Sequence, residues 1–107
     1  MPLETKPWDA SEYLDSEEAV AAYLDAAFED GDPRLIAAAL GDVARARGMS
    51  EIAGKAGLSR ESLYRALSKD GNPELATVLK VVRALGMRIS VDPFVPGNDS
   101  SAASARL

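Results

Sequence analysis

The chain has 107 residues, of which 47% are hydrophobic, 6% aromatic and 27% charged, and its net charge is −5. This length predicts one domain with one modest core. Since cysteine and histidine are both absent, we expect no disulfide, no metal site and no enzyme, because thiolate and imidazole ligands and the usual general base are missing. No motif indicates a cofactor.

The N-terminus lacks the basic segment and apolar run of a secretion signal. No apolar run approaches the roughly 20 residues that span a bilayer. We therefore expect a soluble, cytoplasmic protein that does not bind membranes.

The charges are divided between two parts of the chain. Residues 1–42 contain 11 acidic and 2 basic residues, whereas residues 43–91 contain 9 basic and 4 acidic residues. This asymmetry favours two surfaces with different partners. The alternative is that the acidic helix faces only aid solubility.

Residues 1–14 are predicted to be extended or irregular, since they include two prolines and no helical period. A first helix should follow a cap at Asp15 or Ser16 and end at Gly31. A second should start at Asp32-Pro33, because proline suits the first helical position, and end at Gly48.

Residues 49–68 are the most informative segment. They have the pattern of two short helices joined by a tight turn, which is typical of a helix-turn-helix DNA-binding unit. Gly57 should end the first helix, and Ser50 and Ser59 should each cap a helix. Leu63 and Leu67, four residues apart, should face the core. The same pattern also occurs in ordinary helical hairpins.

The outer face of this unit is the predicted DNA-binding surface. An arginine can donate hydrogen bonds to O6 and N7 of guanine, and a glutamate can accept a hydrogen bond from N4 of cytosine. Glu61 has the alternative of an ion pair with Arg65 at i+4 spacing. The predicted DNA-binding residues are Ser50, Lys55, Ser59, Arg60, Glu61, Ser62, Tyr64, Arg65 and Lys69.

A fifth helix should end at Gly86. Its predicted inward residues are Leu75, Val78, Leu79, Val82 and Leu85. Residues 88–92 then alternate polar and apolar side chains, which predicts a short strand in the segment 88–94. Its predicted dimer contacts are Ile89, Val91 and Phe94. A single strand needs another chain's edge. The candidates are its copy in a homodimer and a toxin; otherwise the segment lies on the core. Residues 96–107 should form a disordered tail.

These residues together resemble a known family. The segments "GLSRESLYRALS" and "GNPELATVLKVVRALG", with "WDASEYLDSEEAVAAYLDAAFEDGDPRLIAAALGDVARARG" before them, resemble the addiction-module antidote family, which contains HigA-like antitoxins of type II toxin–antitoxin operons. The resemblance covers about residues 4–92. It implies an all-α, phage-repressor-like helix-turn-helix bundle of about five helices, occupying residues 15–95 and ending in the short strand.

The resemblance also implies a function and two partners. A dimeric antidote of this kind neutralises a basic RelE/ParE-like toxin and represses its own operon by binding a palindromic operator in double-stranded DNA. The acidic N-terminal block complements such a toxin, and Trp8, Tyr13 and Leu14 are the predicted toxin contacts. The alternatives are a prophage-type repressor without a toxin and a protein-binding module that has lost DNA binding.

Overall fold

The computed structural model describes residues 14–68 and 70–94, which form five helices. These are α1 (Glu17–Asp30), α2 (Pro33–Arg47), α3 (Met49–Ala56), α4 (Arg60–Ala66) and α5 (Leu75–Ala84). The prediction of an all-α fold with about five helices is confirmed for the described residues. The predicted tail, residues 96–107, lies outside them.

The first two helices begin and end where the sequence predicts. The Oγ of Ser16 accepts a hydrogen bond from the amide of Ala19 at 3.1 Å, and the Asp32 carboxylate accepts from the amide of Arg34 at 3.0 Å. Each cap satisfies an amide that has no partner within its helix. Gly31 ends α1 with a φ of +83°, a conformation that favours glycine.

Helices α3 and α4 are joined by a three-residue turn. Gly57 adopts a φ of +73°, and the amide of Leu58 donates to the carbonyl of Ala53 at 2.9 Å. The Leu58 side chain packs against the core from this position. A glycine followed by an apolar residue thus closes α3 and ties the turn to the interior.

Helix α3 is central to the packing, since it contacts α2, α4 and α5, while α1 packs on α2. The core contains small and branched apolar side chains from all five helices. Its largest fully buried members are Leu14, Val20, Leu40, Val43, Ile52, Leu63, Leu67 and Val81.

The predicted inward face of α5 is partly wrong. Val82 and Leu85 are buried, but Leu75 is 69% exposed and Leu79 is 41% exposed. Val81, which was not predicted, is fully buried instead. In a helix with two apolar faces, the 3.6-residue period does not decide which face packs on α3.

The predicted strand at residues 88–94 is absent from the described chain. These residues form neither helix nor strand, and no backbone hydrogen bond joins them to another described residue. The physical reason is that a ladder needs a second strand, which one helical chain does not offer. None of the helices in the described ranges has the length and apolarity that crossing a membrane requires.

Candidate nucleic-acid interface

Helix α4 is held by its inner face and exposed on its outer face. Leu63 and Leu67 are buried in the core, as predicted. Arg60, Tyr64 and Arg65 are exposed. The inward leucines therefore fix the rotation of α4 about its axis and direct its two arginines outward.

The outer face of α4 carries an aromatic–cation pair. The Arg60 guanidinium carbon lies 5.4 Å from the centroid of the Tyr64 ring, one helical turn away. This is within the range of a cation–π contact, which keeps the guanidinium extended along the helix. Glu61 and Arg65, the alternative i+4 pair, form no ion pair within the described chain.

The start of α4 is closed by two serines. The Oγ of Ser59 accepts a hydrogen bond from the Ser62 amide at 3.0 Å and donates one to the Ser62 Oγ at 2.9 Å. Ser59 is therefore the helix cap, as predicted. Its hydroxyl is already engaged in ordering the first turn.

Helix α3 offers fewer unengaged side chains for DNA contact than the sequence predicts. Ser50 is not a cap: α3 begins at Met49, and Gly48 holds the capping position without a side-chain hydrogen bond. Ser50 is instead an exposed residue of the first turn. The Lys55 ammonium lies 3.2 Å from the Glu51 carboxylate in an exposed pair. Lys69 lies outside the described residues.

A polar cluster between α1 and α2 was missed by sequence reasoning. The Tyr23 hydroxyl donates to the Asp42 carboxylate at 2.6 Å, and Arg45 pairs with the other carboxylate oxygen at 2.9 Å. Burial, and next the hydrogen bond to Asp42, raise the pKa of Tyr23 far above its usual value. Because Asp42 engages Arg45, this arginine is less available to DNA than those of α4.

Of the three predicted toxin contacts, Leu14 alone lies within the described residues. Trp8 and Tyr13 lie outside the described residues. Leu14 is 2% exposed and belongs to the core cluster that also contains Val20. Its side chain is therefore not available at the surface of this chain.

A groove of about 450 Å³ runs between α1 and the segment after α5. Ala21, Ala22 and Phe28 line one side of it, and Met87 and Ile89 line the other.

In the ranges 14–68 and 70–94, no three acidic side chains come together as metal ligands.

One family model and one curated protein match most of the chain. The family model described as "Probable addiction module antidote protein" matches residues 4–93. A protein of Haemophilus influenzae, described as "Uncharacterized protein", is 50% identical over 91 residues, which cover 85% of this chain and 94% of that protein. No solved structure matches the chain.

Proposed function

The chain belongs to the "Probable addiction module antidote protein" family, and from this premise we propose how it performs the antitoxin role that the family indicates. It binds a basic RelE/ParE-like toxin directly. As a homodimer it also represses its own operon by binding a palindromic operator through a phage-repressor-like helix-turn-helix formed by α3 and α4.

The observation that carries DNA binding is the two-sided character of α4. The buried Leu63 and Leu67 hold it rigidly, while Arg60 and Arg65 are exposed. A recognition helix needs both properties, because its side chains must reach base edges from a fixed position in the major groove. The adjoining α3 and its three-residue turn support the same interpretation.

The residues at the start of α4 read the bases. Arg60 donates to guanine O6 and N7, and Glu61 accepts from cytosine N4. Ser62 lies in the same turn, and Tyr64 contacts a thymine methyl or a phosphate. In the absence of DNA, the Arg60 guanidinium already lies 5.4 Å from the centroid of the Tyr64 ring. Arg60 therefore loses less conformational entropy when it binds a base.

Phosphates are held at the edges of this surface. Lys55 is exposed although paired with Glu51, and an exposed pair of this kind is weak enough for a phosphate to replace its acidic partner. The other proposed phosphate contacts are Ser50 in the first turn of α3, Ser59 directly before α4, and Lys69, which follows α4 in the sequence. These contacts position the protein without reading bases.

Toxin binding uses the acidic N-terminal part of the chain. Residues 1–42 carry 11 acidic and 2 basic residues, and a basic toxin is attracted to such a surface. Trp8 and Tyr13 are the aromatic anchors that we propose for this interface, since aromatic residues dominate binding energy at interfaces.

The DNA proposal is tested by fluorescence anisotropy on DNA from the chain's own promoter. Arg60→Ala and Arg65→Ala should each weaken binding by about 1–3 kcal/mol, or roughly tenfold to a hundredfold. Arg34→Ala is the matched control, because Arg34 is an exposed arginine on α2. Equal losses in all three variants would point to net charge rather than to a recognition helix.

The toxin proposal is tested by co-expression with the product of the adjacent gene. Growth should be rescued by the wild type and equally by the variant Arg60→Ala/Arg65→Ala, and both should be captured with the toxin in a pull-down. A chain that represses its promoter but protects against no neighbouring gene product would instead be a repressor without a toxin.

A further inference from the structure

Residues 88–92 form an edge without a partner in the described chain. Helix α5 ends at Ala84, and the last backbone hydrogen bond after it runs from the amide of Met87 to the carbonyl of Val82 at 3.0 Å. Beyond it Ile89 is 38% exposed and Val91 is 91% exposed. Two exposed β-branched side chains beside unpaired backbone groups suit pairing with another strand.

The sequence of this segment is complementary to itself. In an antiparallel pair of identical strands, a two-fold axis perpendicular to the ribbon places one residue opposite its own copy. With Ser90 on the axis, Arg88 of each chain faces Asp92 of the other, and Ile89 faces Val91. Opposite charges and β-branched pairs are both favourable across strands.

The neighbouring registers lose this match. With Ile89 on the axis, Arg88 faces Ser90, and Asp92 faces Gly86. With Val91 on the axis, Ile89 faces Pro93, which cannot donate to the ladder. The register centred on Ser90 is therefore the best one for charge and for backbone pairing.

Phe94 fits the same register. It is exposed, and with Ser90 on the axis it falls opposite Gly86 of the second copy. Pro93 and Met87, whose amide already donates to Val82, end the ladder before this position. Gly86 has no side chain there, which leaves space for an aromatic ring.

We propose that residues 88–92 pair with the same residues of a second copy as an antiparallel ribbon with Ser90 on the two-fold axis. The inference rests on the homodimer of the proposed function and specifies how that dimer is held. The ribbon pairs one edge of each strand and places four β-branched side chains, two from each chain, on one face.

A charge exchange tests the pairing. Arg88→Asp and Asp92→Arg should each raise the dissociation constant of the dimer by about tenfold or more, because each creates two like-charge contacts in place of two attractive ones. The double variant Arg88→Asp/Asp92→Arg should restore dimerisation. Arg34→Asp is the control for reversing an exposed arginine elsewhere. Sedimentation velocity measures all four, and failure of the double variant to recover would overturn the proposal.

Cysteine cross-linking tests the register. The chain has no cysteine, so Ser90→Cys introduces a single thiol. Directly opposite residues lie roughly 4.5–5.5 Å apart between Cα atoms, within disulfide range. Under mild oxidation Ser90→Cys should give a covalent dimer. Ile89→Cys and Val91→Cys should each fail alone, because their own copies are diagonal neighbours at about 7–8 Å, and should cross-link when mixed.

Self-linking of Ile89→Cys or Val91→Cys as fast as Ser90→Cys would overturn the register. Neither experiment uses DNA or toxin. If all variants stay dimeric and bind the operator while none cross-links, the ribbon is wrong and the proposed function stands. If the wild type is monomeric at all concentrations, the homodimer of the proposed function is wrong as well.

Discussion

Gly41 on α2 faces the backbone at the C-terminal end of α4. A β-carbon at this position would lie 2.7 Å from the backbone carbonyl oxygen of Leu67. Backbone cannot move aside as a flexible side chain can, so the two elements would have to separate. The absence of a side chain at Gly41 therefore helps to set the position of α4.

We expect Gly41→Ala to lower the free energy of unfolding by about 1–3 kcal/mol, because overpacking outweighs the gain in helix propensity. Gly54→Ala is the matched control: a β-carbon there meets nothing within 4 Å, so this variant should gain about 0.5–1 kcal/mol. Urea denaturation measures both. If both substitutions raised the free energy of unfolding, the close approach of Gly41 to the Leu67 carbonyl would be contradicted.

Tyr23 links α1 to α2 through Asp42, and its ionisation makes this link depend on pH. Burial, and then the hydrogen bond to the Asp42 carboxylate, raise the pKa of Tyr23. A pKa that is higher in the folded state gives stability that is complete below the unfolded value of about 10 and is lost as pH rises above it.

Tyr23→Phe should therefore cost about 1 kcal/mol at neutral pH, and its stability should fall less steeply than that of the wild type above about pH 10. Urea denaturation across this pH range measures the difference. Tyr64→Phe, which leaves the α1–α2 contact intact, is the control. If the free energy of unfolding changed with pH in the same way for the wild type and Tyr23→Phe, ionisation of the Tyr23 hydroxyl would have no role in stability.

Local patterns predicted some residues and not others. Leu63 and Leu67 are four apart on one helix, so their burial followed from spacing alone. Tyr23 and Asp42 are 19 residues apart, and nothing local in the sequence couples them. Gly41 carries no φ requirement and no turn signal, so its role depends on a tertiary contact that only the fold creates.

At the scale of elements, α1 carries charges that its own stability does not favour. Glu17 and Glu18 suit its positive N-terminus, but its last turn contains no basic residue and ends with Glu29 and Asp30. Acidic side chains at the negative end of a helix are unfavourable. This arrangement is consistent with an acidic surface kept for a partner.

Glu29→Lys/Asp30→Lys should raise the free energy of unfolding by about 0.3–1 kcal/mol for each substitution and weaken toxin binding. Glu17→Lys/Glu18→Lys makes the same change in charge but should lower stability. Urea denaturation and calorimetric titration with the toxin separate the two effects. Unchanged toxin affinity in both variants would exclude the α1 acids from the interface.

Helix boundaries were more predictable than helix faces. Serine, aspartate, proline and glycine mark the ends of α1 and α2 through local hydrogen bonds and φ angles, so the sequence contains the relevant information. The exposed Leu75 and Leu79 of α5 could not be distinguished from core residues, because burial there depends on how α3 lies against the helix.

Across the whole molecule, local charge should govern DNA binding although the net charge is −5. Residues 43–91 are basic, and counterion release depends on the phosphates that they neutralise. If a dimer neutralises about eight phosphates, the logarithm of the binding constant should fall with the logarithm of salt concentration with a slope of about −7.

Anisotropy titrations over a range of salt concentrations measure this slope. Arg65→Ala should make it shallower by about 1 for each phosphate that the variant no longer neutralises, whereas Arg34→Ala should leave it unchanged. A flat response in the wild type would remove the electrostatic basis for operator binding.

The overall architecture follows from local patterns in the sequence, whereas its assembly depends on a second molecule. Five helices follow from apolar periodicity and from residues that start and stop helices, and the described chain has them. The C-terminal strand does not form within the described chain, because its hydrogen-bonding partners would come from a second molecule.

The junction at Gly48 has a consequence for how such proteins diverge. This glycine is both the C-cap of α2 and the N-cap of α3, with a φ of +111°. One residue therefore sets the angle between α2 and the helices that follow it. Lengthening α2 by a single residue would turn everything downstream by about 100°. In the homodimer that we propose, the two α4 helices would then no longer face the same side of the duplex.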